Sequence, residues 1–102
     1  MPRARLVLRQ KVIDEGGNIL ELVVWRVPTT AMMPSGIRYR LAFVRRGEER
    51  PVVLYDNHLP KGDHRHVEGA EEPYHFVDVD KLLADFVADM RRITGDAEWP
   101  GR

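Results

Sequence analysis

Apolar and polar residues alternate from the start of the chain. In "RARLVLRQKVID" (residues 3–14), Leu6, Leu8 and Val12 share one face of an extended segment, and Arg3, Arg5, Arg9 and Lys11 share the other. That period of two predicts a half-buried strand. "EGGN" at 15–18 supplies residues that tolerate positive φ, and the β-branched, aromatic run "ILELVVWRV" follows, so the two segments read as a hairpin that ends at Pro28. The connection "PTTAMMPSG" is bounded by breakers. After it "IRYRLAFVRR" alternates again, with Ile37, Tyr39, Leu41 and Phe43 opposite Arg38 and Arg40. "GEER" makes the next turn and "PVVLYD" a fourth short strand, while "PYHFV" (residues 73–77) is expected to form a fifth, edge strand opened by Pro73.

The period then changes. In "DVDKLLADFVADMRRI" the apolar residues Val79, Leu82, Leu83, Phe86, Met90 and Ile93 recur at steps of three and four, which predicts an amphipathic helix over 78–94. Asp78 suits the N-cap, Asp80 the first turn, Arg91 and Arg92 the last, and Gly95 the stop. Strands followed by one helix predict an α+β fold: an antiparallel β-meander of four to five strands with the C-terminal helix packed on one face. The 102 residues are expected to form a single domain, with a strand-rich scaffold over 1–55, a histidine-rich motif over 55–76, the helix over 78–94 and a loosely held tail over 95–102. If the registers hold, Arg5, Arg9, Lys11, Arg38 and Arg40 project from the face away from the helix, a candidate nucleic-acid surface. A solvated sheet face with edge-protecting charges has the same pattern.

Composition narrows the chemistry. No run of eighteen apolar residues is present, and basic residues interrupt the apolar ones near the start, so neither a membrane span nor a signal peptide is expected and a cytoplasmic location is. Without cysteine there is no disulfide or thiolate nucleophile, and any reaction must use His, carboxylates, Tyr, Lys or Arg. The net charge is zero, but Lys and Arg outnumber Asp and Glu ten to five in residues 1–50 and the acids lead eleven to six beyond. Such asymmetry fits a nucleic-acid surface on one half and a partner surface, including a homodimer contact, on the other. The "PTTAMMPSG" loop, with Met32 and Met33, is a candidate partner contact because methionines adapt to irregular surfaces.

The motif "YDNHLPKGDHRHVEG" (residues 55–69) holds three of the four histidines. In extended chain the imidazoles of His64 and His66 point to one face, roughly 6 to 7 Å apart. Imidazole and imidazolium coexist near neutral pH, so a histidine pair can divide general-base and general-acid roles. Metal-free phosphodiester cleavage needs that division together with a cation, for which Arg65 and Lys61 are candidates; Asp56 could orient an imidazole, and Tyr74 could donate a proton or stack on a base. No cofactor is required. His58, His64, His66 and Asp56 would also serve as ligands of a divalent ion, although Arg65 and Lys61 beside it oppose a cation. An ordinary polar turn shaped by Pro60 and Gly62 is the structural alternative. No P-loop is present, since "DEGGN" lacks its lysine and spacing.

The run from Tyr55 to Phe86, with "YDN" before His58, "KG" and "HRH" close behind, an acidic pair before "PY", and a helix closing on "DF", resembles the TumE-type toxin components of bacterial toxin–antitoxin modules. The resemblance implies a growth-inhibiting toxin of a type II module, neutralised by a cognate antitoxin protein. It also implies a functional core of Asp56, His58, Lys61, His64, Arg65, His66 and Tyr74. By analogy with toxins that act on RNA, metal-independent ribonuclease activity is expected. The alternatives are a toxin that binds RNA or protein without cleaving it and a metal-dependent hydrolase.

Overall fold

The computed structural model describes residues 3–95. Six strands run in chain order as one antiparallel meander: β1 (Arg5–Ile13), β2 (Ile19–Arg26), β3 (Ile37–Val44), β4 (Val53–Asp56), β5 (His64–Val67) and β6 (Ala70–Pro73). One helix, α1 (Val79–Thr94), follows. The α+β meander with a C-terminal helix is as expected, with more strands than the four to five anticipated. The tail expected over 95–102 lies, beyond Gly95, outside the described residues.

The hairpin turn between β1 and β2 is built as its composition requires. The Asp14 carboxylate accepts from the Asn18 backbone N–H at 2.9 Å, and Gly17 takes φ 84°. Leu20 and Val24 of β2, Tyr39, Leu41 and Phe43 of β3, and Val53 and Tyr55 of β4 are buried on one face, where Leu82, Phe86 and Met90 of α1 cover them. The helix ends follow their sequence signals: the Asp78 side chain accepts from the Lys81 N–H at 2.8 Å, and the Gly95 N–H, in the left-handed conformation, donates to the Arg91 carbonyl at 2.9 Å.

Two departures from the expected pattern bear on the site. First, the register between β1 and β2 slips between Leu6 and Leu8, so Leu6 lies opposite Trp25 and Leu8 opposite Val24, with Val7 as an extra residue. A bulge of this kind turns over everything before it. Leu6, expected in the core, is 47% exposed. Arg5 pairs with Arg26, in the cross-strand row of Ile37, and so leaves the basic face on which it was placed. Second, "PYHFV" is not a strand beyond Pro73. The edge is instead a hairpin of β5 and β6, turning at Glu68 and Gly69 with φ 51° and 84°. Positive φ at both central residues is the two-residue turn that matches strand twist. A glutamate in its first position hid it from the sequence reading. Residues 74–78 form a connection, in which Phe76 stacks on Tyr39 with ring centroids 5.7 Å apart and His75 is exposed.

Candidate functional site

The antiparallel registers sort the candidate residues by face. Arg9, Val23, Arg40, Asp56, His64 and Pro73 form one row across all six strands, and Lys11, Glu21, Ala42, Leu54, His66 and Glu71 form the adjacent row. Both rows lie on the face away from α1, because their neighbours in sequence, including Val24, Leu41 and Tyr55, are the residues that α1 covers. The basic residues Arg9, Lys11, Arg38 and Arg40 and the histidines therefore share one surface. The strand alternation places His64 and His66 together as expected, with ring centroids 5.2 Å apart.

Beyond β4 the chain turns sharply, and Asn57 fixes that turn. Its buried amide accepts from the Tyr39 N–H at 3.0 Å and donates to the Ile37 carbonyl at 2.7 Å, continuing the β3 ladder with a side chain. His58 is thereby brought back over the open face. The Asp56 carboxylate accepts from both the backbone N–H and the ring Nδ1 of His58, at 2.8 and 3.0 Å. His64, 4% exposed, has its Nδ1 at 2.8 Å from the Gly62 carbonyl. A carbonyl and a carboxylate only accept, so both Nδ1 atoms carry the proton and both Nε2 atoms present a lone pair when the rings are neutral. No buried side-chain nitrogen or oxygen among the described residues lacks a partner, so the His64 Nε2, which has none, reaches solvent. The rings of His58 and His64 lie edge to face with centroids 5.7 Å apart.

His66 and Lys61 converge on a residue the sequence reading passed over, Glu71. Its carboxylate accepts from the Lys61 ammonium at 2.7 Å and lies 3.5 Å from the His66 Nε2. The hydrogen bond from Lys61 holds Glu71 below the ordinary carboxylate value. Only the pairing of β5 with β6 reveals this contact. One ligand atom each from Asp56, His58 and His64 lies within 4.8 Å of the others, the group among the described residues that a metal ion fits.

Arg65 and Tyr74 stand apart from this cluster. Alternation sends Arg65 to the α1 face, where it donates to Glu72, to the Tyr55 hydroxyl at 3.0 Å and to Asp89 at 3.2 Å. These partners, the Tyr55 hydroxyl first, raise its guanidinium above the ordinary value. Asp89, buried within the apolar stripe of α1, also accepts from Tyr55 and Arg92. Burial, and then that hydrogen bond to Asp89, push the Tyr55 phenol up. The Tyr74 hydroxyl donates to Asp85 of α1 at 2.6 Å, and its ring meets Tyr55 edge-on at 5.0 Å. Arg65 and Tyr74 thus bind β5 and the following connection to the helix. Asp63 accepts from the Tyr39 hydroxyl at 2.7 Å.

A twisted meander backed by one helix, with clustered imidazoles on its bare face, carries the features seen in the run from Tyr55 to Phe86. The family model described as Toxin TumE matches residues 2–94, far more of the chain than that run. The chain belongs to the TumE toxin family. It is thus of the toxin class, whose general counterpart is an antitoxin. Neither the curated proteins nor the solved structures compared with it gave a match. Among the described residues no helix is long and apolar enough to cross a membrane.

Proposed function

We propose that this chain is the growth-inhibiting component of a type II toxin–antitoxin module, working in the cytoplasm, and that it cleaves RNA without a metal at the imidazole cluster. The observation that carries the reading is the pair of Nδ1 anchors, Asp56 on His58 and the Gly62 carbonyl on His64, which leave two Nε2 atoms on one basic face. His64 Nε2 takes the ribose 2′-hydroxyl proton as that oxygen attacks phosphorus. His58, as the imidazolium held by Asp56, gives its Nε2 proton to the departing 5′ oxygen, leaving a cyclic phosphate. With Arg65 on the other face and Lys61 held by Glu71, the unpaired cation nearest the site is Arg40, in register with Asp56. His66 lies beside His64 and is tied to Glu71.

The test is induced expression in bacteria of the wild type, His58→Ala and His64→Ala at matched soluble levels, following growth and total RNA together. Arrest with RNA cleavage in the wild type alone supports the reading, and arrest with intact RNA replaces it with a binding toxin. A second reading, metal-dependent hydrolysis, is favoured by the Asp56, His58 and His64 donor set. Cleavage by purified protein that survives chelator excludes it, and cleavage abolished by chelator and restored by a divalent ion establishes it.

A further inference from the structure

The open face carries more than the imidazoles. Trp25, on β2, projects from it half-buried, opposite Leu6 on one side and Arg38 on the other. The Arg9 guanidinium sits 5.8 Å from the centre of its indole ring. No ion pair joins Arg9, Lys11, Arg38 or Arg40 to a carboxylate among the described residues, whereas Lys61, Arg65, Lys81 and Arg92 are all paired. Arg9 and Arg38, neither of them in an ion pair, therefore stand beside one half-buried aromatic ring.

The shape of this surface connects the ring to the site. A cavity of about 260 Å³ runs from Trp25 past Arg38 and Arg40 to Asp56 and His58. A second, of about 610 Å³, opens on the other side of the imidazoles and is lined by His66 and Leu54, with Arg45 and Arg50 alongside Glu48 and Glu68. His64 lies between them, its ring 5.7 Å from that of His58 and 5.2 Å from that of His66. A ligand confined to one nucleotide would fill one cavity and leave the other empty. A strand crossing the imidazole row would occupy both.

We propose that Trp25 is a base-stacking platform for single-stranded RNA, with Arg38 and Arg40 on the adjoining phosphates, and that the strand passes from Trp25 across His64 into the second cavity. This inference rests on the ribonuclease reading for the direction of the strand and supplies its substrate class. A stacking ring flanked by cations suits single strands of any sequence, because every base has a face, whereas paired bases offer theirs only to one another. Duplex RNA would have to be unstacked before it reached the indole.

The experiment measures fluorescence anisotropy of a short end-labelled single-stranded RNA with full-length His64→Ala protein, which binds without cutting. Adding Trp25→Ala is expected to weaken binding about five- to a hundredfold, and Trp25→Phe to retain most of it. Unlabelled duplex of the same sequence should compete poorly. Equal affinity of Trp25→Ala and its parent, or equal competition by duplex, overturns the platform. Should Trp25→Ala fail to fold, the emission of Trp25 is followed in a Trp99→Phe protein; quenching on RNA addition supports stacking and unchanged emission at saturation overturns it. The two readings fail separately. Cleavage with no dependence on Trp25 removes the platform and keeps the ribonuclease, and quenching by RNA that the wild type does not cut removes the ribonuclease and keeps the platform.

Discussion

His64 is nearly buried, yet its Nε2 is the atom on which the proposed chemistry depends, because the Gly62 carbonyl has fixed the proton on Nδ1. His64→Ala should lower RNA cleavage by about 10²- to 10⁴-fold, the range for a lost general base, and a single-turnover assay would show it. Its sequence neighbour behaves oppositely. Arg65→Ala leaves Asp89 buried with one cation fewer and the Tyr55 hydroxyl without a donor, which should cost about 1–3 kcal/mol in urea unfolding. Cleavage per folded molecule should be unchanged, and a large fall in it would place Arg65 in the chemistry after all.

At the scale of elements, α1 was the most legible part of the chain. Its stripe of Leu82, Phe86 and Met90 and its terminal signals at Asp78 and Gly95 are local, so the sequence alone carries them. Asp78→Ala should accordingly lower stability by about 1 kcal/mol, read as a shifted urea midpoint with unchanged slope. The strands of the first half were legible as strands but not in their faces, since the bulge at Val7 depends on pairing with β2 and turned Leu6 and Arg5 over. The β5–β6 hairpin was missed because Glu68 and Gly69 form an unusual pair for its turn. In the site, the shared face of His64 and His66 followed from alternation, but Arg65, expected as the cation beside them, is sent by the same alternation to the helix face. The roles of Glu71, Arg40 and Asp89 could not be read, because each is defined by a residue distant in sequence.

Across the whole molecule both faces carry both signs, and the open face holds Glu21, Asp56 and Glu71 in the same rows as Arg9, Lys11 and Arg40. With four unpaired cations on the open face, the logarithm of single-stranded RNA affinity should fall against the logarithm of salt with a slope of about −3, and a slope near zero would mean these cations do not touch phosphate. On the helix side Asp85 contributes to the pH response, because the Tyr74 hydroxyl, and then Lys81, hold it below the value of 3.8 expected unfolded. A carboxyl more acidic in the folded chain contributes stability that is complete above the unfolded value and disappears as pH falls through the folded one. Asp85→Asn should therefore flatten the acid limb of a stability–pH curve below about pH 4 while changing its neutral plateau by the lost ion pair.

Strand β5 has one further consequence, which would be visible in a population of cells. If the chain arrests growth as proposed, survivors of its expression without antitoxin that carry lesions in this strand divide by its two sides. Escape lesions at His64 should leave abundant, well-behaved protein that no longer harms its host, whereas lesions at Arg65 should thin the protein out by turnover, so alternate codons of one short strand would sort survivors by immunoblot.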